Sequence, residues 1–129
     1  MTRFVLDASA LLALLLEEPG ADKVKDVLDQ CVMTAVNLAE VVSHYAKLGA
    51  ERHDIEALLR PLPIQLIPVD TMLSYDAGLL RSVTLEGGLS LGDRYCLALA
   101  NREGVPALTA ERRWPEIASV AGVRIELIR

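Results

Sequence analysis

The sequence predicts an α/β fold, a three-layer α/β/α sandwich around a central, mostly parallel sheet of about five strands. Two observations carry this. Short apolar runs alternate with amphipathic stretches of about 10 to 15 residues, the pattern of a parallel sheet covered on both faces. Gly or Pro stands at most of the changes from one kind of segment to the other. Arg3 to Leu6 favours a strand, and Asp7-Ala8-Ser9 hands over to a leucine-rich helix, Ala10 to Glu17, stopped at Pro19-Gly20. Asp22 to Gln30 carries Val24, Val27 and Leu28 at helical spacing and leads into a second strand, Cys31 to Thr34. Helices follow over Asn37 to Leu48, ended by Gly49, and over Arg52 to Arg60. After Pro61 and Pro63, Ile64 to Val69 forms a third strand, and Asp70 opens a helix with Leu73, Ala77 and Leu80 on one side. Gly87-Gly88 marks a loop, Leu91 to Glu103 a helix closed by Gly104, Val105 to Thr109 a fourth strand and Val123 to Ile128 a fifth. With no repeat, low-complexity tract or linker, residues 1–129 are expected to form a single domain.

At 129 residues and 52% hydrophobic, the chain can bury roughly two-thirds of the surface its unfolded form exposes, without disulfides or structural metal. Cys31 and Cys96 each lie in apolar runs and read as buried thiols of a reducing compartment. The longest uncharged apolar stretch, Ala8 to Leu16, falls short of the ~20 residues of a membrane span. The first residues enter a strand rather than a basic leader, so a cytoplasmic protein with no membrane partner is expected. Thirteen Lys and Arg against eighteen Asp and Glu, a net charge of −5, argue against a protein that coats nucleic acid through clustered bases. They do not argue against a nuclease whose own active site is acidic.

In parallel sheets the ligand site lies beyond the carboxyl ends of the strands. Four acids occupy such places. Asp7 ends the first strand, Glu40 lies in the first turn after the second, Asp93 opens a helix and Glu111 follows the fourth strand. Converging carboxylates repel unless a cation sits between them, and oxygen-only ligands select Mg²⁺ or Mn²⁺. Metal-assisted phosphodiester hydrolysis follows from that chemistry. Each acid also has a purely structural reading. Asn37-Leu38-Ala39-Glu40 and Ser90-Leu91-Gly92-Asp93 both fit a capping box, Asp7 or Ser9 could cap the helix that follows, and Glu111 could pair with Arg112 or Arg113. Asp70 holds an equivalent place after the third strand, so position alone does not separate site acids from caps.

Other chemistries fit less well. His44 and His53 would fall on opposite faces of one helix, no His-Glu-x-x-His motif is present, and Ser9 has no histidine partner. Gly87-Gly88-Leu89-Ser90-Leu91-Gly92 is neither a phosphate-binding loop nor a dinucleotide fingerprint. Trp114 and Tyr45 read as packing residues rather than base-stacking platforms.

The segments Val5-Leu6-Asp7-Ala8-Ser9-Ala10, Asn37-Leu38-Ala39-Glu40-Val41, Leu91-Gly92-Asp93-Arg94-Tyr95-Cys96-Leu97-Ala98-Leu99-Ala100 and Leu108-Thr109-Ala110-Glu111-Arg112-Arg113-Trp114 resemble, in order and spacing, the PIN-domain ribonucleases. The whole chain resembles a VapC-type toxin of a toxin–antitoxin pair. The resemblance implies a Mg²⁺-dependent endoribonuclease, with Mn²⁺ as a substitute, that leaves 5′-phosphate and 3′-hydroxyl ends on RNA. It implies metal ligation by Asp7, Glu40 and Asp93, a fourth acid at Glu111 where Asp is usual, and supporting roles for Ser9, Asn37 and Thr109, leaving Asp70 as a helix cap. Arg94, Arg112 and Arg113 are expected to meet the RNA backbone. A VapB-like antitoxin and a second copy of the chain are the expected protein partners, and the apolar positions of the Asn37 to Leu48 helix and the run Leu11, Leu12, Leu14, Leu15, Leu16 leave surface for both. Two other readings stand beside this one: an RNA-maturation nuclease without an antitoxin, and a catalytically inactive binding module of the same fold.

Overall fold

The computed structural model describes residues 1–84 and 88–129, and of residues 117–120 the backbone only. Strands β1 (Phe4–Leu6), β2 (Cys31–Thr34), β3 (Gln65–Ile67), β4 (Ala107–Thr109) and β5 (Ile125–Leu127) form one sheet in the order β3-β2-β1-β4-β5. Every pairing is parallel, with Phe4 opposite Cys31 and Leu6 opposite Leu108 on the two sides of β1. The helices are α1 (Ala8–Leu15), α2 (Ala21–Val27), α3 (Ala35–Lys47), α4 (Arg52–Leu59), α5 (Thr71–Thr84), α6 (Leu91–Glu103) and α7 (Trp114–Ala121), and a single 3₁₀ turn, Leu28–Gln30, leads into β2.

The period-two alternation of side chains splits each central strand between two cores. Phe4, Leu6, Cys31, Met33 and Leu108 point to one face, where Ala10, Leu11, Ala13, Val24 and Val41 of α1, α2 and α3 cover them. Val5, Val32 and Ala107 point to the other, against Leu73, Ala77, Leu97, Leu99 and Trp114 of α5, α6 and α7. Central strands buried on both sides are what near-continuous apolar sequence requires.

The structure departs from expectation at several bounds: α1 begins at Ala8 rather than Ala10, the helix expected over Asp22 to Gln30 ends at Val27 and passes into the 3₁₀ turn, and the fourth and fifth strands shorten to Ala107–Thr109 and Ile125–Leu127. The third strand contracts to Gln65–Ile67, and Gln65 and Leu66 are exposed because β3 is an edge. Helix α3 starts two residues before Asn37, for a reason given below. Helix α7 is not anticipated by the sequence reading. Its Pro115 looks like a breaker, yet a proline in the first turn forfeits only a donor that has no intrahelical partner. Gly87 of the expected loop lies outside the described residues, while Gly88 sits in a turn with φ of +71°.

Candidate active site

Asp7 stands where β1 hands over to α1. Its backbone N–H is tied to Leu108 O of β4 at 3.2 Å, and its Oδ1 caps α1 by accepting from Ala10 N at 2.8 Å. Two hydroxyls are also aimed at the carboxylate. Ser9 Oγ lies 2.9 Å from both carboxylate oxygens, and Thr109 Oγ1 donates to Oδ2 at 2.7 Å. Each hydroxyl in turn accepts a main-chain N–H from the loop after β4, Ala110 N on Ser9 and Glu111 N on Thr109, both at 3.0 Å. Those N–H donors occupy hydroxyl lone pairs, so the single proton of each hydroxyl is left for Asp7. The side chain is only 2% exposed. Burial pushes its pKa up to about 7, against the lowering influence of Thr109, Ala10 and Ser9, and the charge of Asp93 adds to the rise.

Glu40 is set by a cap that the sequence reading places elsewhere. Thr34, not Asn37, is the N-cap of α3: its Oγ1 accepts from Asn37 N at 3.0 Å. Glu40 therefore lies a turn beyond the position a capping box would need, and that structural reading of it fails. Asn37, 1% exposed, instead donates through Nδ2 to Glu40 Oε1 at 2.8 Å and to Gly92 O of α6 at 3.1 Å. Gly92 itself gives the carboxylate room, since a Cβ there would collide with both Glu40 oxygens. Desolvation raises the Glu40 pKa, the Asn37 bond opposes it, and the charge of Asp93 raises it further.

Asp93 does form the capping box expected at α6. Its N–H donates to Ser90 Oγ at 3.2 Å and its Oδ2 accepts from Ser90 N at 2.9 Å. That does not remove it from the site, because its charge acts on both Asp7 and Glu40. Cys96, fully enclosed one turn along α6, feels all three acids, and burial first and these charges second push its thiol well above the usual range. The structure thus gathers Asp7, Glu40 and Asp93 around the start of α6.

The other residues fall outside this cluster. Glu111 is exposed and contributes its main-chain N–H to Thr109. Arg112 and Arg113 beside it are exposed, whereas Arg94 is 9% exposed, with Nε directed at Ser90 O at 3.4 Å. Asp70 is spent on Leu73 N at 2.7 Å and on Arg102 at 2.8 Å, which hold its carboxyl below the usual range. His44 stands edge-on to Tyr45, and His53 lies beside Glu51 and Asp54.

The donor set suits a hard divalent ion. The charge of Asp93 acts on both Asp7 and Glu40, and among the described residues none of the three forms an ion pair with Lys or Arg. Among the described residues no three Asp, Glu, His or Cys side chains are placed to hold a metal ion together, so an ion bound there would take most of its ligands from water. Thr34 and Gly92 are the residues the sequence reading misses. The one available signal was a Thr three residues before Asn at a strand end.

Gly92→Ala separates site geometry from stability. Alanine at that place in α6 favours the helix by up to ~1 kcal/mol, while its methyl displaces the Glu40 carboxylate. The expected result is a melting temperature within a few degrees of wild type and a loss of at least about tenfold in the RNA cleavage that the sequence reading expects, read by thermal melts and cleavage assays.

Residues 4–120 match the family model described as PIN domain. A search of the curated proteins finds no match. Among solved structures, the chain is similar to the DNA-bound VapBC from Salmonella typhimurium at 17% identity, with 100% of both chains covered and a TM-score of 0.77. It is similar to a toxin–antitoxin complex from Klebsiella pneumoniae at 18% identity, with 98% of each chain covered and a TM-score of 0.72. It also resembles VapBC-5 from Mycobacterium tuberculosis at 24% identity, over 98% of this chain and 99% of the other, with a TM-score of 0.63. At these identities the likeness is one of fold.

Proposed function

Because the chain belongs to the PIN-domain family, whose members are generally nucleases, we propose that residues 1–129 act as one Mg²⁺-dependent endoribonuclease, the toxin of a VapBC-like pair. The observation that carries this reading is the trio Asp7, Glu40 and Asp93, with the Asp93 charge felt by both of the others and no basic partner among the described residues, at the carboxyl end of a parallel sheet. Asp7, Asp93 and Glu40 would hold the ion, Mg²⁺ or Mn²⁺. When bound, it lowers the pKa of water and offsets phosphate charge, leaving 5′-phosphate and 3′-hydroxyl ends on the RNA. The protein's own work is to aim Asp7 through Ser9 and Thr109, whose hydroxyls oppose the rise that burial imposes on it, and to keep Glu40 in place through Asn37. Exposed Glu111 serves as an outer acid, and Arg112 and Arg113 beside it meet the RNA backbone. Arg94, largely buried, steadies the start of α6.

Two surfaces support protein partners. An apolar cavity of about 890 Å³ between α3, α4 and the β3 edge, lined by Leu11, Leu38, Val42, Ile55, Leu59 and Leu62, suits an amphipathic segment of the antitoxin. The outer face of α5 shows Met72, Tyr75 and Leu79 about two-thirds exposed, with Val83 in the same row, and this face supports a homodimer. Leu79→Arg is expected to halve the mass measured by light scattering while leaving the melting curve of the monomer in place, since Leu79 is largely exposed within the chain.

The direct test is cleavage of end-labelled tRNA and rRNA by the antitoxin-free protein with Mg²⁺, with Mn²⁺ and with EDTA. Discrete cuts that vanish in EDTA are expected. A folded, metal-loaded protein that cuts neither pool would point instead to the binding-module reading. No helix among the described residues is long and apolar enough to cross a membrane, and action in the cytoplasm is part of this proposal.

A further inference from the structure

The hydrogen bonds behind Glu40 start at a residue with no place in the chemistry so far. Thr34 is fully buried at the end of β2. Its hydroxyl both accepts from Asn37 N and donates to Asn37 Oδ1, the latter at 2.6 Å. The second bond matters because an amide can sit either way round. With Oδ1 held by Thr34, both hydrogens of Nδ2 face outward, one to Glu40 Oε1 and one to Gly92 O. Turned over, the amide would set its oxygen against a carboxylate and a carbonyl, and its NH₂ against a hydroxyl already accepting from Asn37 N.

We propose that Thr34 is a positioning residue of the active site: through the Asn37 amide it fixes the Glu40 carboxylate against the start of α6, one residue from Asp93. The proposal rests on the reading of the three acids as a metal centre. Capping of α3 is a separate duty of the same hydroxyl, expected to contribute about 1 kcal/mol of stability. The two duties are separable, because capping needs only the main-chain N–H of residue 37, whereas positioning needs its side chain.

A double-mutant cycle over Thr34→Val and Asn37→Ala, with Thr34→Ser as the conservative variant, tests this. The probe is Mn²⁺ alone, with free ion followed by electron paramagnetic resonance, alongside thermal melts. Thr34→Val is expected to weaken Mn²⁺ binding about tenfold, Thr34→Ser to match wild type, and the double variant to bind no more weakly than Asn37→Ala. The drop in melting temperature from Thr34→Val should be larger in the wild-type background, where the cap and the bond to Asn37 Oδ1 are both lost, than in Asn37→Ala, where only the cap is. Wild-type Mn²⁺ affinity in Thr34→Val, or losses that multiply in the double variant, would overturn the proposal. If the wild-type protein binds no Mn²⁺, the metal reading itself fails, and Thr34 is then judged on the Asn37 side-chain NH₂ resonances. Those signals should move in Thr34→Val and stay in Thr34→Ser, and unchanged signals in both would refute the positioning role.

Discussion

Asp7→Asn is expected to abolish RNA cleavage, by about 10²-fold or more, and yet to make the protein more stable than wild type at neutral pH. The stability gain follows from the burial of a carboxylate whose pKa is raised from 3.8 to about 7. Below about pH 4 both folded and unfolded chains carry the proton, and Asp7 has no effect on the balance. Between pH 4 and 7 the folded chain keeps a proton that the unfolded chain has lost, so stability falls as pH rises, and it levels off above 7. The full penalty is of order a few kcal/mol, and asparagine escapes it. The hydroxyl pair can also adapt to asparagine. Its Oδ1 accepts from Ala10 N and Ser9 Oγ, its Nδ2 donates to Thr109 Oγ1, and the Thr109 proton turns toward Ser9, 3.2 Å away. Denaturant titrations of both proteins across pH 4 to 8 check this: the curves should converge at the acid end and separate toward neutrality. Saturating Mg²⁺ should restore much of the lost stability in wild type and little in the variant. A variant that is less stable at pH 8, or one that still cuts, would contradict the assignment of Asp7.

Asp93 yields the second large effect because two substitutions divide its two duties. Asp93→Asn keeps an oxygen to accept from Ser90 N and so preserves the cap, whereas Asp93→Ala loses it. Both remove the charge that acts on Asp7 and Glu40. The expected outcome is two equally inactive proteins, each down about 10²-fold or more, with Asp93→Asn more stable than Asp93→Ala by about 1 kcal/mol. An Asp93→Asn protein with near wild-type cleavage would leave Asp93 as a cap and nothing more.

What the sequence discloses and what it hides divide along physical lines. Strands β1, β2 and β4 are legible because burial on both faces demands unbroken apolar runs such as Phe4-Val5-Leu6 and Ala107-Leu108. The start of α3 is displaced because Thr34 and Asn37 both have capping chemistry, and only the packed helix shows which one uses it. The three clustered acids all stand at turns the sequence marks. Asp70 stands at one too, and what excludes it is Arg102, 32 residues away, a contact that no local pattern encodes. The same applies to Gly92, where the absence of a side chain matters only because α3 brings Glu40 against it. The acids are therefore visible, and Ser9, Asn37 and Thr109 are named beside them, whereas Thr34 and Gly92, which act through Asn37 and on Glu40, are not.

The hydroxyls that steady Asp7 have a consequence for timing during synthesis. One comes from Ser9, two residues away, but its companion Thr109 is 102 residues further along, at the end of the strand that pairs with β1. Ser9 is itself held by Ala110 N, 101 residues distant. A growing chain can thus fold its first helices while the Asp7 carboxylate still lacks the Thr109 hydroxyl and the main-chain tie that holds Ser9. The full set of hydrogen bonds on Asp7 therefore closes only once β4 has paired with β1, so the geometry of this carboxylate reports the completed sheet and not its first units.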